Sequence, residues 1–121
     1  MKSLIEVIKE VGLIEKEVKV PVSVLYKVYE SNELIYIGIG GNGKRKASGR
    51  LREHYKAAMP SSFKWKILKR EWCNNGLSFN EAESVWDSLV WEYEIGTNYD
   101  IRKKEQQLIK KYQPKYNIEF K

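Results

Sequence analysis

The chain has 121 residues, of which 42% are hydrophobic, 12% aromatic and 31% charged, with a formal net charge of +6. That length allows one domain around one modest core and excludes a doubly wound nucleotide fold with a second domain. No apolar run approaches the roughly 18 residues of a membrane span, and the opening MKSLIEVIKEVG mixes Lys and Glu into its apolar positions, unlike a signal peptide.

In chain order, Ser3 followed by Glu6 reads as a capping box. Leu4, Ile5, Ile8 and Val11 then recur at helical spacing before Gly12. Residues 1–20 are expected to form a neutral N-terminal helix packed on the main domain, which takes up 21–121. Val22 to Tyr29 reads as a strand, Glu30 to Glu33 as a polar turn, and Leu34 to Ile39 as a second strand. So short a connection joins antiparallel neighbours only. Helical spacing returns from Ala47 to Ala58 and from Ser62 to Cys73, the latter closed by Asn74-Asn75-Gly76. Asn80 with Glu83 reads as the cap of a short helix near 81–88. Leu89 to Ile95 is expected as a third strand, and a last helix from Asn98 or Asp100 to Tyr112, stopped by Pro114. The layout is α+β, a small three-stranded antiparallel sheet flanked by helices.

The stretch YIGIGGNGKRK, Tyr36 to Lys46, satisfies the G-x-G-x-x-G fingerprint through Gly38, Gly40 and Gly43. It also stops one residue short of a P-loop. Neither nucleotide reading has its context. The preceding strand is one arm of a hairpin rather than part of a βαβ unit, and Arg45 stands where a P-loop needs Ser or Thr. The basic residues cluster instead. Lys44, Arg45, Lys46, Arg50, Arg52 and Lys56 stand against Glu53 alone, and a second block spans 102–115. Two such blocks on a small domain suit a polyanion, most often nucleic acid; a solvated surface is the bland alternative. The lone Cys73 excludes an intramolecular disulfide and a cysteine-based zinc cluster, and fits a reducing cytoplasm.

Four further features bear on chemistry. Glu105 falls in the stripe Ile101, Glu105, Leu108, Ile109, Tyr112 of the last helix, where a carboxylate is costly to bury without a cation, a metal or hydrogen bonds. A structural Glu paired to a buried Arg or tyrosine and a metal ligand both satisfy that pattern. Arg50 and His54 lie four apart and share a helix side, as a phosphate-binding pair or as polar surface. Tyr26 and Tyr36 face each other across the hairpin, opposite or one step off register. Trp65, Trp72, Trp86 and Trp91 offer stacking surface if exposed.

Taken together, Leu25-Tyr26, Tyr36-Ile37-Gly38, Arg50 with His54, Glu105 and Asn117 occur in the order and near the spacing of the GIY-YIG nuclease superfamily. EQQLIKKYQPKYNIEF, Glu105 to Phe120, resembles the Glu-to-Asn segment of its excision-repair members, and Gly49 to Tyr55 is similar to the catalytic-arginine helix of its homing endonucleases. The departures are Val24-Leu25-Tyr26 for the first triplet, a longer loop before Arg50, and Ile39 where some members carry Lys.

The resemblance implies an intracellular, metal-dependent endonuclease acting on DNA, of bacterial, archaeal or phage origin. Glu105 would hold one Mg²⁺ or Mn²⁺. Tyr26 would be the general base, its phenol pKa lowered by nearby cations, and Tyr36 would position water or phosphate. Arg50 would clamp the phosphate, with His54 supporting it. Lys44, Arg45, Lys46, Arg52 and Lys56 would contact the backbone of double-stranded DNA. Gly38 would let DNA or the Arg50 helix approach closely, and Asn117 would tie the C-terminal segment to the site. A homodimer is compatible with double-strand cutting, and the alternative is a non-catalytic nucleic-acid-binding module on the same fold.

Overall fold

A computed structural model describes residues 2–18, 22–41, 46–56 and 63–119. The elements run α1 (Leu4–Glu17), β1 (Ser23–Glu30), β2 (Glu33–Gly40), α2 (Ala47–Lys56), α3 (Phe63–Lys69), α4 (Phe79–Asp87), β3 (Val90–Gly96), α5 (Asn98–Tyr112) and α6 (Lys115–Glu119). The three strands form one antiparallel sheet in the order β2-β1-β3. Helices cover both of its faces, so the expected α+β layout holds.

The hairpin turns on Ser31 and Asn32, both at positive φ (50° and 68°). Two left-handed residues make the tight connection whose twist matches the flanking strands, and Asn tolerates that region well. The pairing slips at Val28/Tyr29, so that Tyr26 lies opposite Gly38 and Tyr36 opposite Val28. This corrects the expected register. A one-step offset would have put the two tyrosines on opposite faces; the extra residue at the bulge brings both to the same face.

As the central strand, β1 is buried on both sides. Val24, Tyr26 and Val28 join the main core with Val7 and Val11 of α1, Leu51 of α2, Phe63 and Ile67 of α3, Trp86 of α4 and Trp91 of β3. Leu25 faces the other way, onto Ile37 and onto Ile101 of α5.

Three helix boundaries differ from the sequence reading. The capping box of Ser3 and Glu6 starts α1 as expected, but the helix passes through Gly12 to Glu17, its Leu4, Val7 and Val11 stripe held by the core. The cap of α4 is Ser78 with Glu81 rather than Asn80 with Glu83, because Phe79 already lies in the helix. Pro114 ends α5 but opens α6, which the sequence reading lacked. Beyond Lys69 the chain widens into a π-helical turn, Arg70–Asn74, and leaves it through Gly76 at φ +72°. No helix among the described residues is long and apolar enough to cross a membrane.

Candidate active site

The site is set by where the hairpin lacks side chains. Opposite Tyr26, a Cβ on Gly38 would fall 2.4 Å from the phenol Cζ and Oη, so only glycine leaves room for that ring. Two residues further on, a Cβ on Gly40 would lie 2.9 Å from both the Ala47 carbonyl and the Arg50 Cβ. It is therefore Gly40, not Gly38, that lets the Arg50 helix approach; Gly38 makes room for Tyr26.

With α2 seated this low, His54 reaches the phenol, and Tyr26 Oη and His54 Nε2 are 2.5 Å apart. Both residues are essentially without exposed surface. The imidazole is caged by four rings, with centroids at 5.3 Å (Tyr26), 6.2 Å (Tyr36), 5.8 Å (Phe63) and 6.1 Å (Trp91). Burial, helped by the Arg50 charge, pushes the His54 pKa down to about 3, so the ring is neutral. His54 is thus no surface partner of Arg50 but a buried partner of Tyr26. Phe63 escaped the sequence reading altogether; it stacks on Tyr36 at 4.4 Å and 19°.

Tyr36 lies 6.3 Å from Tyr26, ring to ring, and is partly exposed. Burial raises both phenols above their ordinary range. The Arg50 guanidinium pulls each of them down, by charge and by hydrogen bonding, and Glu105 pushes each up. The expected lowering of the Tyr26 pKa is therefore overturned, because loss of solvent outweighs the cation. Arg50 itself is half-exposed, with Nη1 donating to Glu53 Oε2 at 3.1 Å.

Glu105 arrives from the other side of β2. Thr97 caps α5, its Oγ1 accepting from the Asp100 N–H at 3.2 Å. Ile101 then anchors the helix on Leu25 and Ile37, and one turn later the Glu105 carboxylate stands half-buried at the edge of that contact. Among the described residues no hydrogen bond or ion pair engages it. Burial raises its pKa, against a lowering contribution from Arg102. The buried Arg or tyrosine partner of the bland reading is not there.

No cluster of three or more His, Cys, Asp and Glu stands ready for a metal among the described residues. A site with one carboxylate still suits a hard cation that keeps most of its waters and takes phosphate oxygens from a substrate. The half-buried Glu105, unengaged among the described residues and close enough to act on two phenols, fits such an ion.

Asn117 completes the frame. Its Oδ1 accepts from the Ile37 N–H and its Nδ2 donates to the Ile37 carbonyl, both at 2.8 Å. The amide thereby takes the place of a neighbouring strand on the free edge of β2, between Tyr36 and Gly38.

Of the residues expected to contact nucleic acid, Lys46 and Arg52 are exposed. Lys44 and Arg45 lie outside the described residues, as does the side chain of Lys56. Arg102, Lys103, Lys104, Lys110, Lys111 and Lys115 are all exposed. The stacking surface expected of the tryptophans is not available at two positions, since Trp86 and Trp91 are core residues. Trp65 is partly buried, and Trp72, 42% exposed, packs edge-on against Phe79.

No protein-family model matches the sequence, and no curated protein matches it. Among solved structures the chain is similar to the GIY-YIG N-terminal endonuclease domain of UvrC from Thermotoga maritima. Three point mutants of that domain, described as bound to its catalytic divalent cation, align with 87% of this chain and 93% of theirs. Identity is 21% for two of them and 20% for the third, at a TM-score of 0.45.

Proposed function

We propose that this chain is a divalent-metal-dependent endonuclease that hydrolyses phosphodiester bonds of DNA, double-stranded DNA being the substrate its basic surface suits. One observation carries the reading: Tyr26 of β1, Tyr36 of β2 and His54 of α2 share one ring cluster, with the Arg50 charge of α2 acting on all three and Glu105 of α5 acting on both phenols. Arg50 grips the non-bridging oxygens as charge develops on the phosphate. Glu105 would hold the ion, Mg²⁺ or Mn²⁺, which when bound would supply neutralisation of the phosphate and of the leaving 3′ oxygen. Tyr36, the phenol that reaches solvent, orients the attacking water.

Tyr26 is the general base in this reading, and His54 makes it one. With its proton on Nδ1, the neutral imidazole accepts the Tyr26 O–H at Nε2. The water gives a proton to Tyr26 Oη while Tyr26 gives its own to His54. The water oxygen bonds to phosphorus, and the P–O3′ bond breaks with its electron pair leaving on the 3′ oxygen. No phenolate forms, but burial disfavours the imidazolium as well, so the proton reaches His54 only in concert with attack on phosphorus and leaves it as the 3′ oxygen is protonated. Tyr26 itself has no exposed surface.

That burial is also the one observation favouring the alternative, a nucleic-acid-binding module without catalysis. Plasmid cleavage with Mg²⁺ or Mn²⁺ separates the two. The wild type should cut, EDTA should stop it, and Glu105→Ala and Arg50→Ala should each slow it by about a hundredfold or more. If both variants cut at the wild-type rate, the assignment fails. Salt-sensitive binding without any cleavage would select the module.

A further inference from the structure

On the side of α2 turned away from Arg50 and His54, an open cleft of about 520 Å³ lies between α1 and α2. Lys9, Gly12, Leu13 and Lys16 form its α1 wall, at the three- and four-residue spacing of a single helix stripe. That stripe is separate from Leu4, Val7 and Val11, which hold α1 to the core. Ser48 and Arg52, four apart, form the α2 wall, with Lys46 at its entrance. Four exposed cations thus face a single carboxylate, Glu15, and that one is already engaged. Both its oxygens lie 3.4 Å from the Ser48 N–H at the start of α2.

Gly12 is the second observation. Mid-helix glycine is a weak helix former, and here no neighbour demands it, since an added Cβ would meet nothing within 4 Å. Its place on the cleft wall leaves the α1 backbone open to close approach. Leu13, 60% exposed beside it, offers apolar contact of the kind a sugar can use. The cleft walls hold no aromatic ring for base stacking and no Asn or Gln for reading base edges. Cations, an open backbone and two aliphatic side chains, Ile8 and Leu13, suit a phosphate-sugar chain.

We propose that the cleft between α1 and α2 is a second contact for the DNA backbone, gripping phosphates about one helix diameter, ~10 Å, from the phosphate at Arg50. The proposal rests on the nuclease reading of the site and gives α1 a role beyond closing the core. It makes the grip independent of sequence and sensitive to salt.

The test is the binding of a fluorescently labelled DNA duplex by the whole chain in EDTA, followed by anisotropy across a salt series. Lys9→Gln with Lys16→Gln should weaken binding by about tenfold and lower the slope of log K against log salt by about two. Gly12→Leu fills the cleft without touching a charge. It should weaken binding while melting no lower than wild type. Glu15→Gln removes the one like charge and should tighten binding.

A wild-type slope and affinity in the lysine double variant would overturn the proposal. So would a poly-glutamate chain that competes as well as duplex DNA, which would assign the cleft to an acidic protein. Cleavage assays keep the two readings apart. If the wild type never cuts but the double variant loses binding, the cleft stands and the nuclease reading falls. If the wild type cuts, Arg50→Ala does not, and the double variant binds normally, the cleft alone falls.

Discussion

The two faces of the sheet are covered very differently. Over Val24, Tyr26 and Val28 lie helices α1 to α4 and a cage of aromatic rings; over Leu25 and Ile37, among the described residues, lies only α5. The thickly covered face buries Tyr26 and His54 completely, and a buried polar pair is bound up with stability because neither partner has water to fall back on. The thinly covered face leaves Glu105 half in solvent and without a partner among the described residues. The same site is thus split into a part the fold depends on and a part the fold can spare.

The sharpest way to break that contrast is Glu105→Gln. Cleavage should fall by about a hundred- to a thousandfold, while the urea midpoint should stay level or rise, because burial disfavours the charge that the amide removes. A variant that unfolds early would make Glu105 a structural residue.

His54→Ala should do the opposite and lower the unfolding free energy by about 3 kcal/mol, through a cavity and an abandoned Tyr26 hydroxyl. The folded imidazole stays neutral down to about pH 3, whereas its ordinary value is 6.5. Between those limits the unfolded chain holds the extra proton, so stability should fall as pH drops from 6.5 toward 3. Urea denaturation at a series of pH values should find that slope in the wild type, and His54→Gln should flatten it.

Asn117→Ala comes next. It gives up two hydrogen bonds to the edge of β2, about 2 kcal/mol, and hydrogen exchange at the Ile37 amide should speed up with it. The smallest effect is that of Tyr26→Phe, about 1 kcal/mol for one buried hydrogen bond. Its cleavage should nevertheless drop as steeply as that of Glu105→Gln if the proton passes through Tyr26.

Where an element is specified by its own residues, the sequence was sufficient. The hairpin announces itself through Ser31-Asn32, and the start of α1 through its capping box. Where two local signals compete, it misled: Ser78 with Glu81 and Asn80 with Glu83 satisfy the same capping pattern two residues apart. Where distant segments decide, it was silent. The cage around His54 joins rings from four elements, and the Asn117 clamp spans 80 residues of chain. The direction of the Tyr26 pKa likewise depends on burial, which no spacing rule reports.

A three-stranded sheet has two open edges, and each here is blunted by a residue from outside the strands. Asn117 occupies β2, and on β3 the Trp91 N–H donates to the Lys2 carbonyl at 2.8 Å. An exposed strand edge invites pairing with another chain, and these clasps come from opposite ends of the sequence. On the ribosome the hairpin emerges long before residue 117. Until then β2 would depend on chaperones or on chance to avoid strand-to-strand association, and the tyrosines it carries would lack their final setting. The final setting of Tyr36 thus waits on a residue 80 positions further along the chain than the strand segment it clasps.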